Sequence, residues 1–121
     1  MLRHGLIAGL IGLVSLGIAA SAQAHAHVER SDPAAGAVLH TSPNAVRITF
    51  SEPIMAAFSG VEISDVKNRE APADKALVEG GRTLAVMLKG PLTPGAYVIH
   101  WHAVSADTHR VQGTIGFSVA P

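Results

Sequence analysis

The alternation of apolar and polar residues along this chain predicts an all-β fold, an antiparallel sandwich or Greek-key barrel of about seven short strands. Three observations carry the prediction. Beyond an apolar leader, apolar residues recur at every second position in short runs, the period of a half-buried strand. Pro, Gly and Asn punctuate those runs at intervals of about 8 to 12 residues, the turn spacing of such folds. No stretch of the remainder keeps a helical period.

Residues 1–24 read as a secretory signal and stand apart from the fold. Arg3 and His4 give a short basic start, Leu6 to Ile18 is apolar, and Ala22-Gln23-Ala24 supplies a small-x-small cleavage site. An apolar run of about 13 residues is short of the ~20 that span a bilayer, and nothing later is apolar enough to do so. The expected product is an exported protein that is not embedded in a membrane. Ala20-Ser21-Ala22 and Ala24-His25-Ala26 also fit the cleavage rule and would leave Gln23 or His27 first. Only a cut after Ala24 makes His25 the N-terminal residue.

The strands follow in order. Val28 and Val38-Leu39 mark two short early ones. Val46, Ile48 and Phe50 share one face of the next, which the Ser42-Pro43-Asn44 turn introduces, while Arg47, Thr49 and Ser51 share the other. Val61 and Ile63 alternate with Glu62 and Ser64. Leu84, Val86 and Leu88 follow the Gly80-Gly81 turn, which lacks the Lys-Ser/Thr pair of a phosphate loop. Leu92-Thr93-Pro94-Gly95 turns into Tyr97, Ile99 and Trp101, and the last strand reads Ile115, Phe117, Val119.

Composition narrows the function. Removing 24 of 121 residues leaves 97, enough for one core over residues 25–121 and too few for two. The shortened chain has 8 basic and 9 acidic residues, so near-neutral charge argues against nucleic acid or anionic lipid as a partner. There is no cysteine, which excludes disulfides, Cys-type zinc sites and a thiol nucleophile. Histidine, methionine and carboxylate remain as metal ligands.

Those ligands lie near both ends of the domain. An N-terminal His25 offers its free amine and ring Nδ1 to one ion in a six-membered chelate, and Asp107 and His109 in Ser105-Ala106-Asp107-Thr108-His109 can complete a nitrogen-rich tetragonal site of the kind Cu(II) favours. The plainer alternative is a solvated N-terminus and a polar turn. A further alternative is local: a free N-terminus with histidine third, as in His25-Ala26-His27, can wrap Cu(II) with its amine, two deprotonated amides and that imidazole, without Asp107 or His109. His100 and His102 fall together on an outward face, where exposed histidines are ordinarily plain surface. His40 suggests no metal role. Ser105, Asp107 and His109 cannot form a hydrolytic triad while two residues apart in one loop.

Several motifs, in order, resemble the CopC family of periplasmic copper-binding proteins over residues 25–121. His25-Ala26-His27-Val28 before Ser31-Asp32-Pro33-Ala34-Ala35-Gly36 is similar to the family's opening histidine and Ser-x-Pro-x-x-Gly turn, and counting back from that turn places the first residue at His25. Phe50-Ser51-Glu52 resembles its strand end, and Leu92-Thr93-Pro94-Gly95-x-Tyr97 its hairpin. Most specific is Trp101 to Gly113, similar to Trp-x-x-x-Ser-x-Asp-x-His-x-x-x-Gly.

The resemblance implies a seven-stranded Greek-key β-barrel, Ig-like or cupredoxin-like, that holds one Cu(II) per chain in an arrangement akin to a histidine brace. The implied ligands are the amine and ring of His25, Asp107 and His109, with His27 as the counterpart of a second early histidine that some relatives carry. The implied role is periplasmic copper homeostasis and resistance in response to copper ion, with delivery to a CopD-type inner-membrane transporter. Amine and imidazole must lose protons to bind, so affinity should fall through the histidine range near ~6.5. The chain departs from relatives with a methionine-rich Cu(I) loop: Val61 to Leu84 contains neither methionine nor histidine, and Met55 and Met87 read as packing or surface residues. The competing classes are a copper enzyme with a histidine brace and a metal-free β-sandwich interaction module. Only five aromatics are present, too few for a clustered substrate surface.

Overall fold

The computed structural model describes residues 25–121, and the expected leader, 1–24, lies outside them. Eight strands form among the described residues: β1 (Val28–Asp32), β2 (Val38–Leu39), β3 (Ala45–Phe50), β4 (Gly60–Asp65), β5 (Leu77–Glu79), β6 (Thr83–Met87), β7 (Gly95–Val104) and β8 (Arg110–Val119). They build two four-stranded sheets, ordered β1-β3-β6-β5 and β2-β8-β7-β4. Only β5–β6 and β7–β8 are consecutive neighbours in one sheet; every other link crosses between the layers. The result is an all-β sandwich, as the alternation predicts.

Two details differ from the expectation of seven antiparallel strands. β5 is the additional strand, and with three residues it is too short to show alternation. β2 pairs in parallel with β8 through Val38 opposite Ser118 and Leu39 opposite Val119, whereas the other pairings are antiparallel. The β3–β4 connection carries one 3-10 turn, Ala56–Phe58.

The core is the sum of the inward faces. Val46, Ile48 and Phe50 of β3 are wholly buried, facing Ile63 of β4, Ile99 of β7 and Ile115 and Phe117 of β8. Each such side chain contributes about 1.5–3 kcal/mol by leaving water, and this burial substitutes for the absent disulfides. Tyr97 stacks on Phe117 with centroids 5.5 Å apart, and its hydroxyl donates to the Thr93 carbonyl at 2.6 Å. The polar tip is thereby satisfied while the ring stays in the core.

The packing brings three segments to one end of the sandwich. Val28 pairs with Phe50, which carries residues 25–27 past the end of β3. The β3–β4 connection is held to the β7–β8 hairpin by an Ile54–Ser105 bridge and by the Met55 amide, which donates to the Val104 carbonyl at 2.8 Å. Beneath this end Trp101 meets Phe50 edge-on at 5.2 Å. Gly113, opposite Trp101 on β8, makes that fit possible, because a Cβ there would lie 2.6 Å from the indole.

Candidate metal centre

The loop between β7 and β8 constructs half of the site from its own hydrogen bonds. The Ser105 amide donates to the His109 carbonyl at 3.1 Å and the Thr108 amide to the Ser105 carbonyl at 2.8 Å, which forces Thr108 into the left-handed region at φ 69°. Ser105 is buried, and its hydroxyl donates to Oδ1 of Asp107. The His109 amide donates to the same oxygen at 3.2 Å. Nδ1–H of His109 donates to Oδ2 of Asp107 at 3.0 Å, leaving the Nε2 lone pair free. A carboxylate with this many donors is stabilised as the anion. The Ser105 hydroxyl, aided by the His109 amide and ring, lowers the Asp107 pKa from 3.8 to about 2.

The N-terminal segment provides the other half. Ala26 is 2% exposed and anchors the segment in the core. His27 is tied to Ser51 at the end of β3: its amide donates to the Ser51 hydroxyl at 3.0 Å, and its carbonyl accepts from the Ser51 amide at 2.9 Å. Between these fixed points and the hairpin, the His25 ring stands edge-on to that of His109, with centroids 4.3 Å apart and planes at 81°.

His25, Asp107 and His109 each offer a donor atom, and these atoms lie within 4.8 Å of one another. Among the described residues, Nδ1 of His25 is buried and has no hydrogen-bond partner. An unsatisfied buried donor or acceptor costs about 1–3 kcal/mol, and one beside a carboxylate and a second imidazole fits a cation as the missing partner. The donor set of nitrogen and carboxylate oxygen suits Cu(II).

Three of the four sequence-predicted site residues therefore meet. His27 does not join them; its Nδ1 lies 3.0 Å from the Ser51 hydroxyl. His100 and His102 share an outward face of β7, with Nε2 of His100 3.1 Å from the Ser64 hydroxyl and the His102 ring lying over Gly60. Among the described residues they form no ligand cluster with an acidic neighbour. Met55 and Met87 are both exposed. Ser105 points to Asp107 and not to the His109 ring, so the loop has no nucleophile–base pair. Neither Ser51 nor the Ser105 hydroxyl has a role that spacing or periodicity reveals. Their one visible signal in sequence is that each lies inside a motif shared with the family, Phe50-Ser51-Glu52 and the Trp101 to Gly113 stretch.

Comparison with known proteins places the chain in a family. A model described as "CopC domain" matches residues 28–120. The chain is 39% identical over 102 residues to Protein YobA of Escherichia coli K12, covering 82% of each protein. It is 35% identical over 121 residues to copper resistance protein C of Xanthomonas campestris pv. juglandis, covering 93% of this chain and 94% of that one. Among solved structures it is similar to CopC from Methylosinus trichosporium OB3b, with TM-score 0.75 and 26% identity over 80% of this chain and 95% of that one.

Proposed function

Because the chain belongs to the CopC family of copper resistance proteins, we propose that it binds one Cu(II) per chain through His25, Asp107 and His109 and acts in the periplasm as a copper carrier and buffer. Its chemistry is binding and not catalysis. Cleavage after Ala24 would free the His25 amine, so that amine and Nδ1 chelate the ion while Asp107 and the His109 ring complete a tetragonal set. The observation that carries this reading is the buried Nδ1 of His25, which has no partner among the described residues and lies beside Asp107 and His109.

The two halves have separate tasks. Ser105 and the His109 backbone keep Asp107 ionised and aimed, and Asp107 fixes the His109 tautomer. The N-terminal segment closes over them. A small exported domain holding copper at one exposed end is suited to pass it on, and a CopD-type inner-membrane transporter is the recipient we propose.

The test is a Cu(II) titration followed by EPR on protein beginning at His25, beside a form with one residue added ahead of it. One tight type 2 site, much weakened by the extension, supports the reading. Indifference to the extension removes the amine from the ligand set. Sustained consumption of oxygen with ascorbate would move the protein to the enzyme class.

A further inference from the structure

The geometry points to Ser51 as the residue that selects between two copper coordination modes open to the N-terminal segment: it occupies both atoms of His27 that the local mode needs, and so directs copper to His25, Asp107 and His109. The inference rests on the copper reading above and concerns a residue outside the ligand set. It assigns His27 to the clip and not to the metal.

His25-Ala26-His27 is by itself a copper chelator. The amine, the Ala26 and His27 amide nitrogens and Nδ1 of His27 can close three fused rings around Cu(II), and no folded domain is required. A protein that carries this tripeptide therefore needs a reason not to use it.

Ser51 provides one through three hydrogen bonds to a single residue. The His27 N–H donates to the Ser51 hydroxyl at 3.0 Å, and that hydroxyl lies 3.0 Å from His27 Nδ1. A serine hydroxyl has one hydrogen and two lone pairs, so it accepts from the amide and donates to Nδ1 of the neutral ring at once. The third bond runs from the Ser51 amide to the His27 carbonyl at 2.9 Å. Both nitrogens that the local mode would take from His27 are thus engaged on the protein.

The clip is itself braced. The Arg82 guanidinium donates to the Ser51 carbonyl at 3.0 Å, and the Phe50 amide donates to the Arg82 carbonyl at 2.9 Å. Ala26, between the two histidines, is buried. Its amide cannot turn toward an ion at the N-terminus without drawing its methyl group out of the core. His25 meets no such restraint from the described residues, among which its Nδ1 has no partner.

The experiment compares wild type, Ser51→Ala and Ser51→Thr, each beginning at His25, with and without the Asp107→Ala, His109→Ala pair. EPR counts the equatorial nitrogens of bound Cu(II), and chelator competition gives affinity. Wild type and Ser51→Thr are expected to show three nitrogens and one oxygen and to lose tight binding with the pair. Ser51→Ala is expected to shift to four nitrogens and to become indifferent to the pair. If Ser51→Ala keeps the wild-type spectrum and sensitivity, the role of Ser51 is overturned while the copper site stands. If wild type itself shows four nitrogens and ignores the pair, both fall. Should Ser51→Ala fail to fold, hydrogen exchange on metal-free wild type decides: slow exchange at the His27 amide supports the clip, and exchange at the free-chain rate overturns it.

Discussion

The two segments that meet at the candidate-site end of the sandwich are built in different ways. The hairpin loop from Ser105 to His109 is closed by bonds among its own residues, so Asp107 and His109 are positioned wherever β7 and β8 pair. Residues 25–27 make no such loop. They are held from outside, by a buried Ala26 and by Ser51 on His27. One half of the site is thus organised by local geometry and the other by docking. Damage to the hairpin should therefore remove binding, whereas damage to the docking should change its mode or weaken it.

The sharpest way to break this comparison is to remove the hairpin ligands. The Asp107→Ala, His109→Ala variant should lose at least about 100-fold in Cu(II) affinity, beyond the 10–100-fold that outer-shell changes typically cost. Chelator competition checks this, and wild-type affinity in the variant would show that the hairpin is no part of the site. An extra residue ahead of His25 attacks the docked half. It removes the amine while leaving Nδ1, Asp107 and His109 in place, so a loss of about 10–100-fold is expected.

How far the sequence reveals these halves differs in the same way. Val46, Ile48 and Phe50 announce β3 by alternation, and all three are buried. Leu77–Glu79 could not announce β5, since three residues hold no period, and the parallel pairing of β2 with β8 depends on contacts between chain ends. Within the site, Asp107 and His109 are neighbours in sequence. Their meeting with His25 is a product of the β1–β3 register and the crossovers, which no local pattern encodes. The Ser51 clip is harder still to see: a serine after a strand carries no periodicity, and its role exists only once β1 lies along β3.

Ser105→Ala is expected to have a smaller effect than either ligand change, about tenfold on copper affinity, because it removes support and not a donor. It also has a consequence without metal. The folded-state pKa of Asp107 is depressed from 3.8 to about 2, chiefly by the Ser105 hydroxyl. A depressed carboxylate stabilises the fold fully above its unfolded value, and that stabilisation is lost as pH falls through the folded pKa. Metal-free wild type should therefore lose this contribution between about pH 4 and pH 2. Thermal unfolding of Ser105→Ala over the same range should show a shallower loss, as its Asp107 pKa returns toward 3.8. Parallel curves for the two proteins would mean that the hydroxyl does not hold the carboxylate down.

His27→Ala is the mildest change and the one that best separates a ligand from a clip. If His27 bound copper, its loss would cost as much as other ligand changes and would alter the EPR nitrogen count. In the clip, the variant keeps the His27-position amide on the Ser51 hydroxyl and the Ser51 amide on the position 27 carbonyl, losing only the ring contact. It also destroys the local four-nitrogen mode, which needs that ring. The expected outcome is a severalfold loss of affinity, on the order of one net hydrogen bond, with three nitrogens and one oxygen retained. A change in coordination on losing this one imidazole would return His27 to the ligand set.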